Sequence, residues 1–348
     1  MQFIRPALLA TTILTASMTT AFADVRVVTS IKPVHSLVAA VMQGVGTPDL
    51  IVEGAGSPHT YALKPSQAKQ LQEADLVFWM SHDLEAFLEK SIDGIATKAV
   101  SVPLMESRGL MTLGFREGGA FDDHGHDEHD DHDEHDKDDD HDHKKHDDHD
   151  EHEKHDKDDD HDHEKHDDHD EHDHGEVDPH VWLDPENAKA MVHEIEEALA
   201  KADPANAATY ESNAEAVMAK LDSLVAEIDS ELQPVKGRGY IVFHDAYQYF
   251  ENRFGVSAIG SITVSPEVLP GAERVSDLQE KVRSLDATCV FSEPQFEPKL
   301  VATVTENTNA RTGVLDPLGA AIDKGPNLYF TLIRNMASSL KNCLLGSG

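Results

Sequence analysis

The 348-residue sequence predicts an α/β protein of two lobes, each a parallel sheet flanked by helices. One long, rigid linker helix joins them. Three observations carry that reading. Short apolar runs alternate with amphipathic stretches in two separate series, and such alternation means parallel strands with helices on the sheet faces. Between the series a single apolar face persists over about thirty residues, as one helix requires. The first series is interrupted by a tract, residues 121–176, made almost entirely of His, Asp, Glu and Lys.

The chain opens with a weakly positive start at residues 1–5, an apolar, small-residue run at 7–17, and Ala21-Phe22-Ala23, which fits the A-x-A cleavage rule. Residues 1–23 are therefore expected to be a signal peptide. The apolar run is too short for a stable membrane span, and no cysteine sits near the cleavage point to carry lipid. The mature chain is expected to be soluble and outside the cytoplasm.

Residues 25–29 are β-branched and read as the first strand. Lys32-Pro33 opens a helix whose Val34, Leu37, Val38 and Val41 fall at helical spacing. A second strand, 49–53, runs into the turn-rich Gly54-Ala-Gly-Ser-Pro-His-Thr-Tyr61. Pro65-Ser66-Gln67 starts the next helix, 76–80 is a strand, 84–92 a helix, and 98–102 a fourth strand. After the tract, Asp184-Pro185 places a carboxylate at an N-cap and proline in the first turn. Asp203-Pro204 repeats the device. Tyr210, Ala214, Val217, Leu221, Leu224, Ile228 and Leu232 then line one face of the linker helix. The second series follows: strands at 238–243, 256–263, 288–291 and 310–315, helices at 275–285, 297–308 and 327–343. The expected division is a first lobe at 24–202, a linker at 203–234 and a second lobe at 235–348.

The formal charge is −37, and it stays acidic without the tract. No basic stripe exists for a phosphate backbone, so nucleic acid is excluded as a partner. From 122 to 176 the tract holds seventeen histidines, thirty acids and six lysines, and residues 132–151 recur as 152–171 with substitutions at three places. Nothing there can bury a core, so disorder is expected. Imidazole and carboxylate are metal ligands, and imidazole suits zinc, copper and nickel. Pairs such as His124/His126, His141/His143 and His161/His163 make the tract a candidate low-affinity zinc collector or sensor. The alternative is a solvated acidic spacer.

Six histidines lie outside the tract. His59 sits just past the second strand and His244 follows the fifth, and ligands of parallel sheets bind beyond the carboxyl ends of strands. His180 sits in Asp178-Pro-His-Val-Trp, just before a helix. Their convergence on a cleft between the lobes gives three imidazoles round one point. With a carboxylate or water they make a tetrahedral zinc site. Asp316, at the end of the last strand, is the carboxylate candidate, with water or a histidine of the tract as the alternatives. Each histidine taken alone is more often a hydrogen-bonded structural residue. His35 reads as lining the cleft, His82 as opening a helix and His193 as solvated on a helix face. Zinc competes with protons for imidazole, so affinity is expected to fall as pH drops through about 6.5. Cys289 and Cys343 are the two cysteines, and outside the cytoplasm an even pair suggests one disulfide. Two buried thiols are the alternative.

Four motifs, Ser57-Pro-His-Thr-Tyr-Ala-Leu-Lys-Pro-Ser66, Asp178-Pro-His-Val-Trp-Leu-Asp-Pro185, Val242-Phe-His-Asp-Ala-Tyr247 and Phe291-Ser-Glu-Pro-Gln-Phe296, resemble the metal-binding receptors of ABC transporters. Within these the sequence is similar to the periplasmic zinc receptors of high-affinity uptake systems, in order over essentially the whole mature chain. The resemblance implies two α/β lobes on a rigid helix, metal held between them by His59, His180 and His244, and a periplasmic monomer. It also implies delivery to a membrane permease with its ATPase, and no enzymatic activity. Manganese-binding relatives carry a carboxylate at the third position. His244 there favours zinc. Zinc members also carry a histidine-rich loop in the first lobe and a bridged cysteine pair resembling Cys289 and Cys343. Some have glutamate just before the first histidine. Here that residue is Pro58. Competing readings are a receptor for manganese or another divalent metal, a secreted zinc hydrolase, and an extracellular metal buffer or adhesin. The hydrolase reading lacks a His-Glu-x-x-His helix and a nucleophile elbow.

Overall fold

The structure is a computed structural model, and it describes residues 25–116, 121, 177–263, 271–284 and 288–346. The expected signal peptide, and the tract apart from Phe121, lie outside the described residues. Those on both sides of the tract belong to one compact unit.

The first sheet contains β1 (Val27–Thr29), β2 (Asp49–Leu50), β3 (Leu76–Trp79) and β4 (Val100–Pro103), all parallel, in the order β2-β1-β3-β4. β1 and β3 are buried throughout, which is why they read as unbroken apolar runs. The returning helices are α1 (Lys32–Val41), α2 (Pro65–Glu73) and α3 (Ala86–Ile95). The expected 49–53 strand shortens to two residues. Ile51 and Val52 still donate to the carbonyls of Thr29 and Ser30 before the Gly54 turn diverts the chain.

After the tract come α4 (Pro185–Ala202) and α5 (Ala207–Leu232). Asp184 caps α4 as expected, its Oδ1 accepting the Glu186 amide at 2.9 Å. Asp203 does not repeat this. A 3-10 turn, Pro204–Asn206, intervenes, and the Asp203 carboxylate accepts from Asn206 Nδ2 at 2.7 Å and the Tyr210 hydroxyl at 2.9 Å. The seven apolar positions of α5 are all buried. They pack on α4 and α1, and on the last helix.

The second sheet contains β5 (Tyr240–His244), β6 (Ala258–Thr263), β7 (Cys289–Ser292) and β8 (Arg311–Val314), again parallel, in the order β6-β5-β7-β8. Its helices are α6 (Gln248–Phe254), α7 (Ala272–Ser284), α8 (Lys299–Thr305) and α9 (Leu328–Leu345). Alternation along β5 divides the core. Tyr240 and Val242 join a large cluster running through the first lobe, α5 and α9. Ile241 and Phe243 face a smaller cluster with Leu278, Val282, Val301 and Val304. A disulfide joins Cys289 on β7 to Cys343 on α9, with Cα atoms 6.1 Å apart across 54 residues of sequence. Closing a loop of that length contributes roughly 4 kcal/mol in the chain-entropy treatment.

Candidate metal centre

Three local structures deliver three imidazoles to one point. His59 lies in a 3-10 turn, Pro58–Thr60, where Pro58 fixes the first turn. His180 precedes a second 3-10 turn, Val181–Leu183. His244 ends β5. One ring nitrogen from each lies within 4.8 Å of the other two. His180 and His244 are buried and His59 partly so.

Carboxylates orient two of the rings. Asp178 Oδ1 lies 2.6 Å from His180 Nδ1, and its Oδ2 accepts from Gln248 Nε2 at 2.6 Å. Glu293 Oε1 lies 2.7 Å from His244 Nδ1. A buried carboxylate accepts a hydrogen bond from Nδ1–H and so holds the proton on that nitrogen, which leaves the Nε2 lone pair free for a cation. The two Nε2 atoms then face each other at 3.4 Å. Bonds of 2.0–2.1 Å at the tetrahedral angle put zinc-bound nitrogens about 3.3–3.4 Å apart. The three-imidazole donor set and the His180–His244 spacing fit zinc.

The three rings differ in their electrostatics. Burial, followed by the charges of His180 and His244, lowers the pKa of His59 to about 2. Burial also opposes a charged His244. The charge of Glu293 and its hydrogen bond, with Asp245 and Asp178 behind it, outweigh that and raise the pKa. The surrounding cavity measures about 10 Å³ and is walled by Trp182, Phe296, Pro317 and Leu318. It has room for one ion or water molecule.

Asp316, expected as a fourth ligand, lies outside the three-histidine group and bonds within its own turn. Its Oδ1 accepts the amides of Leu318 at 3.2 Å and Gly319 at 2.9 Å, and its Oδ2 accepts that of Ala320 at 2.6 Å. Gln295 Nε2 donates to Oδ1 as well, at 3.0 Å. The Asp316-Pro-Leu-Gly turn consumes the carboxylate, which lies outside the histidine group. His35 does not line the cleft either. It is buried on α1, its Nε2 lies 3.2 Å from the Pro48 carbonyl, and burial lowers its pKa to about 4. His82 pairs with Glu89 on the surface, and His193 lies beside Glu196 and Glu197. The expected auxiliary ligands His124, His126, His141, His143, His161 and His163 lie outside the described residues. Sequence reasoning assigned no role to Asp178, Glu293 or Gln248. Asp178 and Glu293 stand inside the quoted motifs, and that was the available signal.

Two parallel lobes with imidazoles from both at an ion-sized cavity define a two-lobed receptor for a small cation. More particularly, the family model described as ZnuA, zinc-uptake complex component A, periplasmic, matches residues 27–343, and the chain belongs to that family. It is 57% identical over 318 residues to the high-affinity zinc uptake system protein ZnuA of Brucella abortus (strain 2308), covering 91% of each chain. It is 34% identical over 343 residues to the protein of that name in Yersinia pestis, covering 99% of this chain and 98% of the relative. A crystal structure of ZnuA aligns with a TM-score of 0.69 at 22% identity, over 92% of this chain and 99% of the other. That similarity supports the fold.

Proposed function

We propose that this chain captures zinc outside the cytoplasm and delivers it to the membrane permease of an ABC importer with its ATPase. The observation that carries this reading is the pair of Nε2 atoms of His180 and His244, set 3.4 Å apart with a carboxylate behind each Nδ1. His59 supplies the third nitrogen, and water takes the fourth position, since Asp316 is committed to its own turn. Zinc is cargo here, and the chain acts as a monomeric receptor rather than an enzyme. The lobes are residues 24–202 and 235–348, with 203–234 as linker, after removal of a signal peptide at 1–23.

Competition with a zinc chelator, run beside manganese, tests the site. One tight zinc equivalent, preferred over manganese and lost in His59→Ala, His180→Ala and His244→Ala chains, is the expected result. Tight binding that survives all three replacements sinks the assignment. The tract at 122–176 is proposed as a low-affinity zinc collector. Its deletion should remove the weak equivalents and leave the tight one, and an unchanged total stoichiometry would refute the collector role.

A further inference from the structure

The first lobe meets the second at the corner that carries His244, and the contact is ionic. Arg116 reaches across from the strand-end side of the first lobe. Its Nε donates to both carboxylate oxygens of Asp245 at 3.0 Å, and its Nη2 donates to Asp245 Oδ1. Nη1 donates to Glu251 Oε2 at 2.8 Å. The Phe121 ring covers the guanidinium, with its centroid 3.7 Å away. Asp245 and Glu251 are both 5% exposed. Two carboxylates so far from water repel each other and need a cation between them.

The position of this contact sets it apart. Asp245 directly follows His244. Glu251 lies on α6, the helix whose Gln248 donates to Asp178 Oδ2 and to the Gly114 carbonyl. Beside it, Tyr249 accepts the Leu113 amide and donates to the Asp178 carbonyl. Gly114 and Val177 pair as an antiparallel bridge. The β5–α6 corner is therefore held to residues 113–116 and 177–178 by a network that begins beside His244 and ends beside His180. Away from this corner, Lys32 Nζ ties α1 to the second lobe through the carbonyls of Gly319, Ala320 and Ile322. That tie uses neutral acceptors and adjoins no ligand. The Arg116 tie is a two-pronged ion pair next to one.

We propose that Arg116 is a positioning residue, an interlobe latch that keeps His244 Nε2 in register with the first-lobe imidazoles and so sets how fast the bound cation leaves. The proposal rests on the three-histidine reading above. Arg116 touches no cation and acts through Asp245. With the latch intact, His244 leaves the site only if a buried, forked ion pair separates. With it broken, the β5–α6 corner is free to move, and His59 and His180 alone hold the ion.

The test is zinc release into excess chelator, with association measured separately, on the full chain and its Arg116→Ala and Arg116→Lys variants. Release should quicken about tenfold or more in Arg116→Ala, since truncating one partner of a buried charge pair acts on dissociation. Association should stay within about twofold. Arg116→Lys keeps the charge without the fork, and its release rate should fall between the other two. If Arg116→Ala does not fold, Arg116→Lys carries the test. A folded variant that releases zinc at the wild-type rate overturns the latch. So does a variant slowed only in association, the result expected of a merely distorted site. A wild-type chain with no tight zinc overturns the three-histidine reading itself, and that outcome is visible before any variant is made.

Discussion

The two lobes repeat one topology and use it differently. In each sheet the first strand lies between the second and third, which opens a crevice beyond the ends of β1 and β3 and again beyond β5 and β7. Ligands of parallel sheets bind at such switch points. In the second lobe the crevice holds His244, the last residue of β5, and Glu293, the first residue after β7. In the first lobe Ser30 follows β1, and Glu85 folds back on the end of β3 by accepting the amides of Met80 at 2.8 Å and Ser81 at 3.2 Å. Both crevices thus hold a buried glutamate, but only the second pairs it with an imidazole. The first lobe brings its histidines in from outside, His59 from the turn beyond β2 and His180 from the turn beyond the insert. A shared backbone supplies two equivalent places, and side chains make one a ligand shelf and the other a structural plug.

The widest separation between the crevices is expected from removing the ligand itself. His244→Ala should weaken tight zinc by more than about 100-fold, the upper range for losing only a group behind a ligand. Ser30→Ala, at the matching position, should leave it unchanged, as should His193→Ala on the solvated face. Chelator competition measures all three. Equal losses in His244→Ala and Ser30→Ala would erase the distinction between shelf and plug.

The next effect falls on stability. Burial pushes the Glu85 carboxyl from an ordinary 4.5 up to about 7, against the hydrogen bonds from the Met80 and Ser81 amides. Between those values the folded chain keeps a proton that the unfolded chain has lost. The stabilisation is therefore complete below about pH 4.5 and is lost as pH rises through about 7. Its size is on the order of 3 kcal/mol. Glu85→Gln keeps an acceptor for both amides and cannot titrate. Urea midpoints at pH 5 and pH 8 should lie closer together in Glu85→Gln than in the wild type, with zinc affinity unchanged. An identical pH dependence in the two chains would remove Glu85 from the account.

The same contrast explains what could be read from the sequence. The α5 face was legible because one side of that helix is buried and the other solvated, so its seven apolar positions step at helical spacing. β1 and β3 were legible as unbroken apolar runs. α6 was not, because Gln248, Tyr249, Phe250, Glu251 and Phe254 are all buried. A helix buried on most sides shows no amphipathic period, and seven residues are too few for propensity to reveal it. The histidines were legible because few stood outside the tract and three sat beside strand ends or helix starts. The place of Asp316 was not legible, because a carboxylate at a strand end looks the same whether it meets a cation or caps a turn. The amides of Leu318, Gly319 and Ala320 decide between these, and no spacing rule shows them. Arg116 and Glu251 are 135 positions apart, and nothing local announces such a pair.

The smallest effect sharpens the comparison most, because it alters the carboxylate behind the ligand shelf and leaves the ligands in place. Glu293→Gln keeps an acceptor for His244 Nδ1 but removes the negative charge. The imidazole becomes a poorer donor to zinc, and affinity at pH 8 should fall about 10–100-fold. The acid limb should move the other way. The Glu293 charge is what raises the His244 pKa against burial, and a proton on Nε2 competes with zinc. Without that charge the proton leaves at lower pH, so the pH at which zinc is lost should drop in the variant although its affinity at pH 8 is weaker. Chelator competition from pH 5 to pH 8 separates the two movements. A weaker affinity with an unmoved acid limb would mean that Glu293 orients His244 without tuning its charge. The second crevice would then differ from the first in geometry alone.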